Sequence, residues 1–299
     1  MHVFVTGATG YIGGSVANAL LKHGAQVTGL VRSIERAEEV SAFGIKPIIG
    51  TLDDDELLGA AAVNADVIIN AADSDHAGSA ISLLNALEGT GKTFLHTSGS
   101  SIVGTHAGGE LVEDIFDEET AFTPSPGRAA RVALNEHVMS FRSRGVRSTI
   151  LCPSLIYGIG HGVKKDSMQV PWLLQTARRH GVAKHFGPGL NRWSNVHIDD
   201  LVKLYLLAID HASDSAFFFA ENGENSMREM CEAINRAMGV SELPMEMSLK
   251  EAAEEWGEGP AMNTMGSNSR VRARRACAEL GWQPVSASLI HEIERGCYV

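Results

Sequence analysis

Short apolar runs rich in β-branched residues recur along the chain, and between them lie longer stretches in which apolar residues return every three or four positions. The first kind predicts buried strands at residues 3–6, 26–31, 46–49, 66–70, 93–97 and 148–152. The second predicts helices between most of them, starting with residues 11–23. Strands separated by helices pair in parallel, because each crossover has to return across the sheet. The pattern therefore predicts an α/β fold with a doubly wound parallel sheet. Past Pro153 the rhythm changes to loops rich in Gly, His and basic residues, then a helix from about residue 170. The run WSNVHIDDLVKLYLLAI starts extended and becomes helical. This divides the chain into a first domain over residues 1–157 and a smaller, mixed substrate lobe over residues 158–299, with residues 194–220 returning to the first domain. Residues 249–269, acidic at first and then rich in Met, Asn and Gly, predict a mobile surface segment.

Composition narrows the function classes. The 299 residues, 44% hydrophobic and 20% charged, suffice for a sizeable core and exclude intrinsic disorder as the main description. A formal charge of -11 provides no global positive field for a nucleic acid backbone or an anionic membrane surface. Cys152, Cys231, Cys277 and Cys297 are scattered, without metal-ligand spacing, so we expect reduced thiols and no metal site. No apolar run reaches the roughly 18 residues of a membrane span. The opening MHVFVTGATG lacks the basic start and apolar run of a secretory signal, so a cytoplasmic protein is expected.

The sharpest local signal is Thr6-Gly7-Ala8-Thr9-Gly10-Tyr11-Ile12-Gly13, directly after an apolar strand and directly opening a helix. Gly7 permits a tight turn, Gly10 lets backbone approach a pyrophosphate, and Gly13 allows close helix-to-sheet packing. The helix start offers free N–H groups and a positive dipole to phosphates. We take Gly7, Thr9, Gly10, Tyr11, Ile12 and Gly13 as candidate dinucleotide-binding residues of a Rossmann-type domain. In many such folds an acid closing the second strand accepts the ribose hydroxyls. Here that strand ends Val31-Arg32-Ser33, and Arg32, with Ser33 and Arg36 beside it, suits a 2′-phosphate. NADP(H) is therefore favoured over NAD(H).

The sequence resembles the extended short-chain dehydrogenase/reductase superfamily, in its epimerase/dehydratase and dihydroflavonol-reductase-like branch. TGATGYIGG resembles that family's TGxxGxxG turn, and residues 50–54 its GDLxD segment, with Thr51 where the first Asp is expected. Asn70-Ala71-Ala72 is similar to the loop after its fourth strand, and Cys152-Pro153-Ser154-Leu155-Ile156-Tyr157-Gly158 to its RPxxVYG. The resemblance extends to SNVHIDDL at residues 194–201 and LGWQP at residues 280–284. It implies that Leu52, Ala71, Ala72, Pro153 and Leu155 contact the cofactor, and that His197 with Asp199 and Asp200 forms a turn and helix cap. It also exposes a departure. Counting back from Glu136, the superfamily's catalytic Tyr falls at Arg128 and its Lys at Val132, so YxxxK is absent, while Arg131 stands one step away. The usual serine aligns with Gly99, leaving only neighbouring hydroxyls.

A reductase on this scaffold needs groups to orient and protonate a carbonyl. Tyr157 is the first candidate proton donor, with a packed aromatic as the alternative. Ser98 and Ser100 are candidates to hydrogen-bond a carbonyl oxygen, or are ordinary strand-end hydroxyls. Arg128 is a candidate to fix an anionic or carbonyl group, or is a surface charge. His161 lies in a glycine-rich loop beside the expected site, and Trp172 and Trp193 are candidate pocket walls. Residues 77–87 and 127–142 offer either a helical contact between two copies or one exposed face. The expected activity is NADP(H)-dependent reduction of a small or medium carbonyl compound. The missing YxxxK leaves two alternatives: a redox-neutral isomerase, lyase or cyclase, and a non-catalytic NADP(H)-sensing regulator.

Overall fold

The computed structural model describes residues 1–213 and 215–299. Along the chain, β1 (His2–Thr6), α1 (Tyr11–Lys22), β2 (Gln26–Val31), α2 (Ile34–Ser41) and β3 (Lys46–Ile49) open the fold. They are followed by α3 (Asp55–Val63), β4 (Val67–Asn70), α4 (Ala77–Leu87) and β5 (Thr93–Thr97). After the short β6 (Thr105–His106) come α5 (Pro126–Ser140), β7 (Arg147–Pro153), β8 (Leu155–Tyr157), α6 (Gln169–His180) and β9 (Lys184–Phe186). Then follow β10 (Arg192–His197), α7 (Ile198–His211), β11 (Ser215–Ala220), β12 (Glu224–Ser226) and α8 (Met227–Ala237). The remainder includes β13 (Met245–Met247), α9 (Leu249–Trp256), β14 (Ser267–Asn268) and the helices Arg274–Leu280 and Leu289–Arg295.

Seven strands form one parallel sheet in the order β11-β7-β5-β4-β1-β2-β3. Strands covered by helices on both faces read as continuous apolar runs, and Val67, Ile68 and Ile69 of β4 are all buried. The chain winds one way from β1 to β3 and the other way from β4 onward, so a crevice opens at the carboxyl ends of β1 and β4. That crossing point is where such sheets bind ligands. A second, three-stranded sheet in the order β12-β10-β8 packs with α6, α8 and the helix Leu289–Arg295 around Leu155, Tyr157, Leu173, Trp193, Met230 and Ile293. The first core contains the large sheet, but also Val196 of β10, positions of α7 and β11, and Val271, Ala276 and Trp282 from far along the chain.

The segment expected to be a mobile surface stretch is built in. Ser248 caps α9 in a capping box with Glu251, and β14 pairs antiparallel with β6. Ser267, Asn268 and Ser269 are buried. The Asn268 amide donates to the Glu110 carbonyl at 2.9 Å, while its side-chain oxygen accepts from the backbone N–H groups of Arg192 at 2.8 Å and Val112 at 3.3 Å. Buried polar groups demand partners. Here those partners come from two separate segments, which fixes a stretch whose composition alone suggests mobility. Among the described residues no helix is long and apolar enough to cross a membrane.

Candidate functional site

The glycine-rich turn lies at the crevice. Gly7 has φ 77°, and a Cβ there would meet the Ala71 carbonyl oxygen at 2.6 Å. A Cβ on Gly13 would stand 2.4 Å from the Gly7 carbonyl oxygen, so only glycine lets α1 lie this close to the turn. Gly10 is the N-cap of α1 and supplies no side-chain cap, which leaves the first N–H groups of the helix open to an anion. A cavity of about 320 Å³ is lined by Gly7, Thr9 and Gly10, by Leu30, Val31, Arg32 and Arg36, by Gly50, Thr51 and Leu52, and by Ala71, Ala72 and Asp73. Arg32 is exposed at its edge, and Arg36 is shared with Glu39 at 2.7 Å.

Several residues expected to contact a cofactor serve the cleft from outside it. Gly13 and Ile12 pack α1 against the fold, and Ser33 caps α2 by accepting from the Arg36 N–H at 3.4 Å. The Tyr11 hydroxyl donates to the Gly158 carbonyl at 2.8 Å, tying the turn to the loop after β8. Pro153 ends β7 at the sheet edge, whereas Leu155 is buried in the second core.

A polar row supports the crevice from below. Thr6, Asn70 and His96 stand side by side in β1, β4 and β5. The Thr6 hydroxyl donates to the Asn70 side-chain oxygen at 2.7 Å and accepts from the Ala71 N–H at 3.1 Å, which holds the Ala71-Ala72 loop against the turn. Asn70 continues the row to His96 Nδ1 at 3.2 Å. The His96 Nε2 is buried and has no partner among the described residues. Burial, and then the Arg131 guanidinium, push the His96 pKa down to about 4, so the ring is neutral at ordinary pH.

Beside this row, α5 presents Arg128, Arg131 and Asn135, spaced three and four apart and therefore on one face. The Asn135 amide donates to Ser98 Oγ at 3.0 Å. Arg131 donates through Nη1 to Ser101 Oγ at 3.1 Å and grips the Asp75 carboxylate with Nε, at 2.7 Å, and Nη2. That pairing holds the Asp75 carboxyl below the usual range. A Cβ on Gly99 would meet Arg131 Nη1 at 3.4 Å, so the guanidinium lies against the position the resemblance gives to the serine. Arg128 is half-buried. Ser100 is buried, its hydroxyl accepting from Ser269 Oγ at 2.8 Å. Counting the sequence noted Arg131 without giving it a role, and did not single out Asp75, Ser101, Asn135 or His96. The signal was there in α5, where Arg128, Arg131 and Asn135 recur at helical spacing on one side of the helix.

The other candidates lie elsewhere. Tyr157 is wholly buried in the second core, its hydroxyl donating to the Ala287 carbonyl at 2.8 Å and its ring edge-on to His197 at 5.2 Å between centroids. Burial raises its phenol above the ordinary value, and its one hydroxyl proton is already committed. This corrects the expectation of Tyr157 as proton donor, because a group closed in a core cannot reach a ligand. His197 accepts from the Asp199 N–H and caps α7, and Asp199 pairs with His161 Nε2 over α1. Trp193 is buried with its indole N–H on the Ser267 carbonyl at 2.7 Å, and Trp172 packs against the second core, so neither walls the cleft.

The family model described as NAD dependent epimerase/dehydratase matches residues 3–217. An oxidase of Acremonium sp is 32% identical, over 98% of this chain and 95% of its own. A 2-alkyl-3-oxoalkanoate reductase of Stenotrophomonas maltophilia is 26% identical, over 84% of this chain and 80% of its own. Among solved structures, the UDP-glucose 4-epimerase of Thermotoga maritima, with UDP-glucose, superposes with a TM-score of 0.78 at 18% identity, over 98% of this chain and 96% of that one.

Proposed function

The chain belongs to the NAD-dependent epimerase/dehydratase family, and on that premise we propose that it is an NADP(H)-dependent reductase of a small or medium carbonyl compound. The observation that carries the cofactor choice is the mouth of the cleft. Arg32 and Arg36 line it where β2 ends, no carboxylate of β2 does, and Thr51 stands opposite. A guanidinium fork matches a 2′-phosphate, whereas an NAD-type site calls for an acid at the end of this strand. The cradle itself fits a dinucleotide, since added Cβ atoms at Gly7 and Gly13 would meet backbone oxygens at 2.6 and 2.4 Å. When bound, the nicotinamide coenzyme supplies the hydride chemistry.

This chain's residues bind and orient. Gly7, Thr9, Gly10 and the open end of α1 receive the pyrophosphate, Arg32 with Arg36 takes the 2′-phosphate side, and Ala71 and Ala72 flank the cofactor after β4. Ser98, Ser101 and Arg128 then flank the reacting region from β5 and α5. Two relatives named for oxidation and reduction support a redox activity. The test is a fluorescence titration of NADPH and NADH against the protein and its Arg32→Ala variant. We expect NADPH to bind at least about tenfold more tightly than NADH, and the variant to lose that preference, as for a charge-assisted hydrogen bond of about 1.5–3 kcal/mol. Equal affinities in the unaltered protein overturn the cofactor assignment. Product formed without net loss of absorbance at 340 nm makes the enzyme redox-neutral instead.

A further inference from the structure

The face of α5 that looks onto the end of β5 has one group without a counterpart. Asn135 is paired with Ser98, and Arg131 with Asp75 and Ser101. The Arg128 guanidinium, one turn nearer the start of the helix, belongs to a half-buried residue and makes no side-chain hydrogen bond or ion pair among the described residues. Local charges do not balance, since Arg128 and Arg131 face only Asp75, with His96 neutral beside them. Burial and the Arg131 charge both work against the ionised Arg128, yet a guanidinium stays protonated. An uncompensated, partly desolvated cation is costly unless an anion completes it.

Its place in the fold says which anion. Asp75 follows Ala71, Ala72 and Asp73 of the cleft wall in the same loop, and its grip on Arg131 sets this face of α5 beside the cleft on its β5 side. Arg32 stands at the end of β2, on the other side of β1, which leaves Arg128 for the substrate rather than the adenosine phosphate. A single surplus positive charge matches a monoanion, and a planar fork matches a carboxylate.

We propose that Arg128 binds a carboxylate on the substrate, so that the carbonyl compound is an oxo acid. This rests on the reductase reading above. The experiment titrates the protein, saturated with NADP⁺, with straight-chain 3-oxo acids of graded length, their neutral methyl esters and the matching phosphonates. The expected result is that at least one acid binds at least about tenfold more tightly than its ester and than its phosphonate. Arg128→Gln abolishes that difference while NADP⁺ affinity stays within about twofold, and Arg128→Lys retains part of it. Esters binding as well as acids, a preference that survives Arg128→Gln, or no binding by any acid overturns the proposal. A phosphonate preferred over the acid also overturns it in favour of a phosphorylated substrate. Loss of NADP⁺ binding in Arg128→Gln reassigns the residue to the cofactor. Failure of NADPH to bind the unaltered protein is a separate outcome, and strikes the reductase reading itself.

Discussion

At the scale of single residues, the same side-chain type does different work according to what surrounds it. Tyr157 carries a proton that chemistry would welcome, but the fold closes it inside the second core, where its hydroxyl satisfies the Ala287 carbonyl. Tyr157→Phe therefore removes a structural bond and leaves a polar group underground. We expect a loss of about 1–3 kcal/mol of stability, seen as a lower melting temperature, with NADPH affinity unchanged. A variant as stable as the parent but defective in turnover would restore Tyr157 to the chemistry. Gly7 and Gly13 are the opposite case. Their role was legible in the sequence because it depends on the absence of atoms, and the distances to the Ala71 and Gly7 carbonyls give the reason. The place of Arg32 at the cleft was legible too, since it follows directly on the end of β2.

At the scale of elements, the strands and helices of the large sheet follow from local pattern, and the departures come where pattern and packing separate. Helix α5 was located by its sequence, and Arg128, the position counted back from Glu136, shares a face with Arg131 and Asn135, whose partners a linear pattern does not name. The helix turns 100° per residue, so Arg131 and Asn135 meet Ser101 and Ser98 while Val132 lines a hollow with Phe122. The stretch from α9 to β14 shows the converse. Its composition reads as mobile, yet the Ser269 N–H donates to the Arg192 carbonyl and the Gly266 N–H to the Ala261 carbonyl, at 2.9 and 2.8 Å. Hydrogen exchange followed by mass spectrometry should find residues 266–269 protected well beyond the exposed loops, on the scale of minutes or longer. Full labelling within seconds would mean that the bridge between the lobes does not hold.

At the scale of the whole molecule, buried ionisable groups join distant parts of the chain and set its response to pH. Asp200, wholly buried in α7, is raised by its burial, but donors from the Ser286 and Val285 backbone and from Lys203 outweigh that and lower its pKa overall. It thereby pins the C-terminal segment to the large sheet, helped by the Trp282 indole on the Asp200 carbonyl. His96 sits near 4 in the fold against 6.5 when free, so between those values the unfolded chain binds more protons. Stability therefore falls as pH drops from about 6.5 toward 4, by on the order of 3 kcal/mol from His96 alone. Asp200 adds a further loss as pH falls through its lowered value. Urea denaturation across this range should show the slope, and His96→Gln should flatten the upper part of it. An unchanged slope in that variant would refute the buried neutral ring.

The sequence by itself determined the alternation of strand and helix, the sheet it builds and the glycine-lined turn with an arginine beside it. Each of these depends on neighbours a few residues apart, where periodicity and steric bulk act directly. The tertiary structure alone decided that Tyr157 is enclosed, that Arg131 is clamped by Asp75 while Arg128 is left without a counter-ion, and that residues 267–269 bridge the lobes. Those outcomes depend on burial and on partners tens to hundreds of positions away, and a linear pattern carries no record of which polar groups meet once water has been excluded.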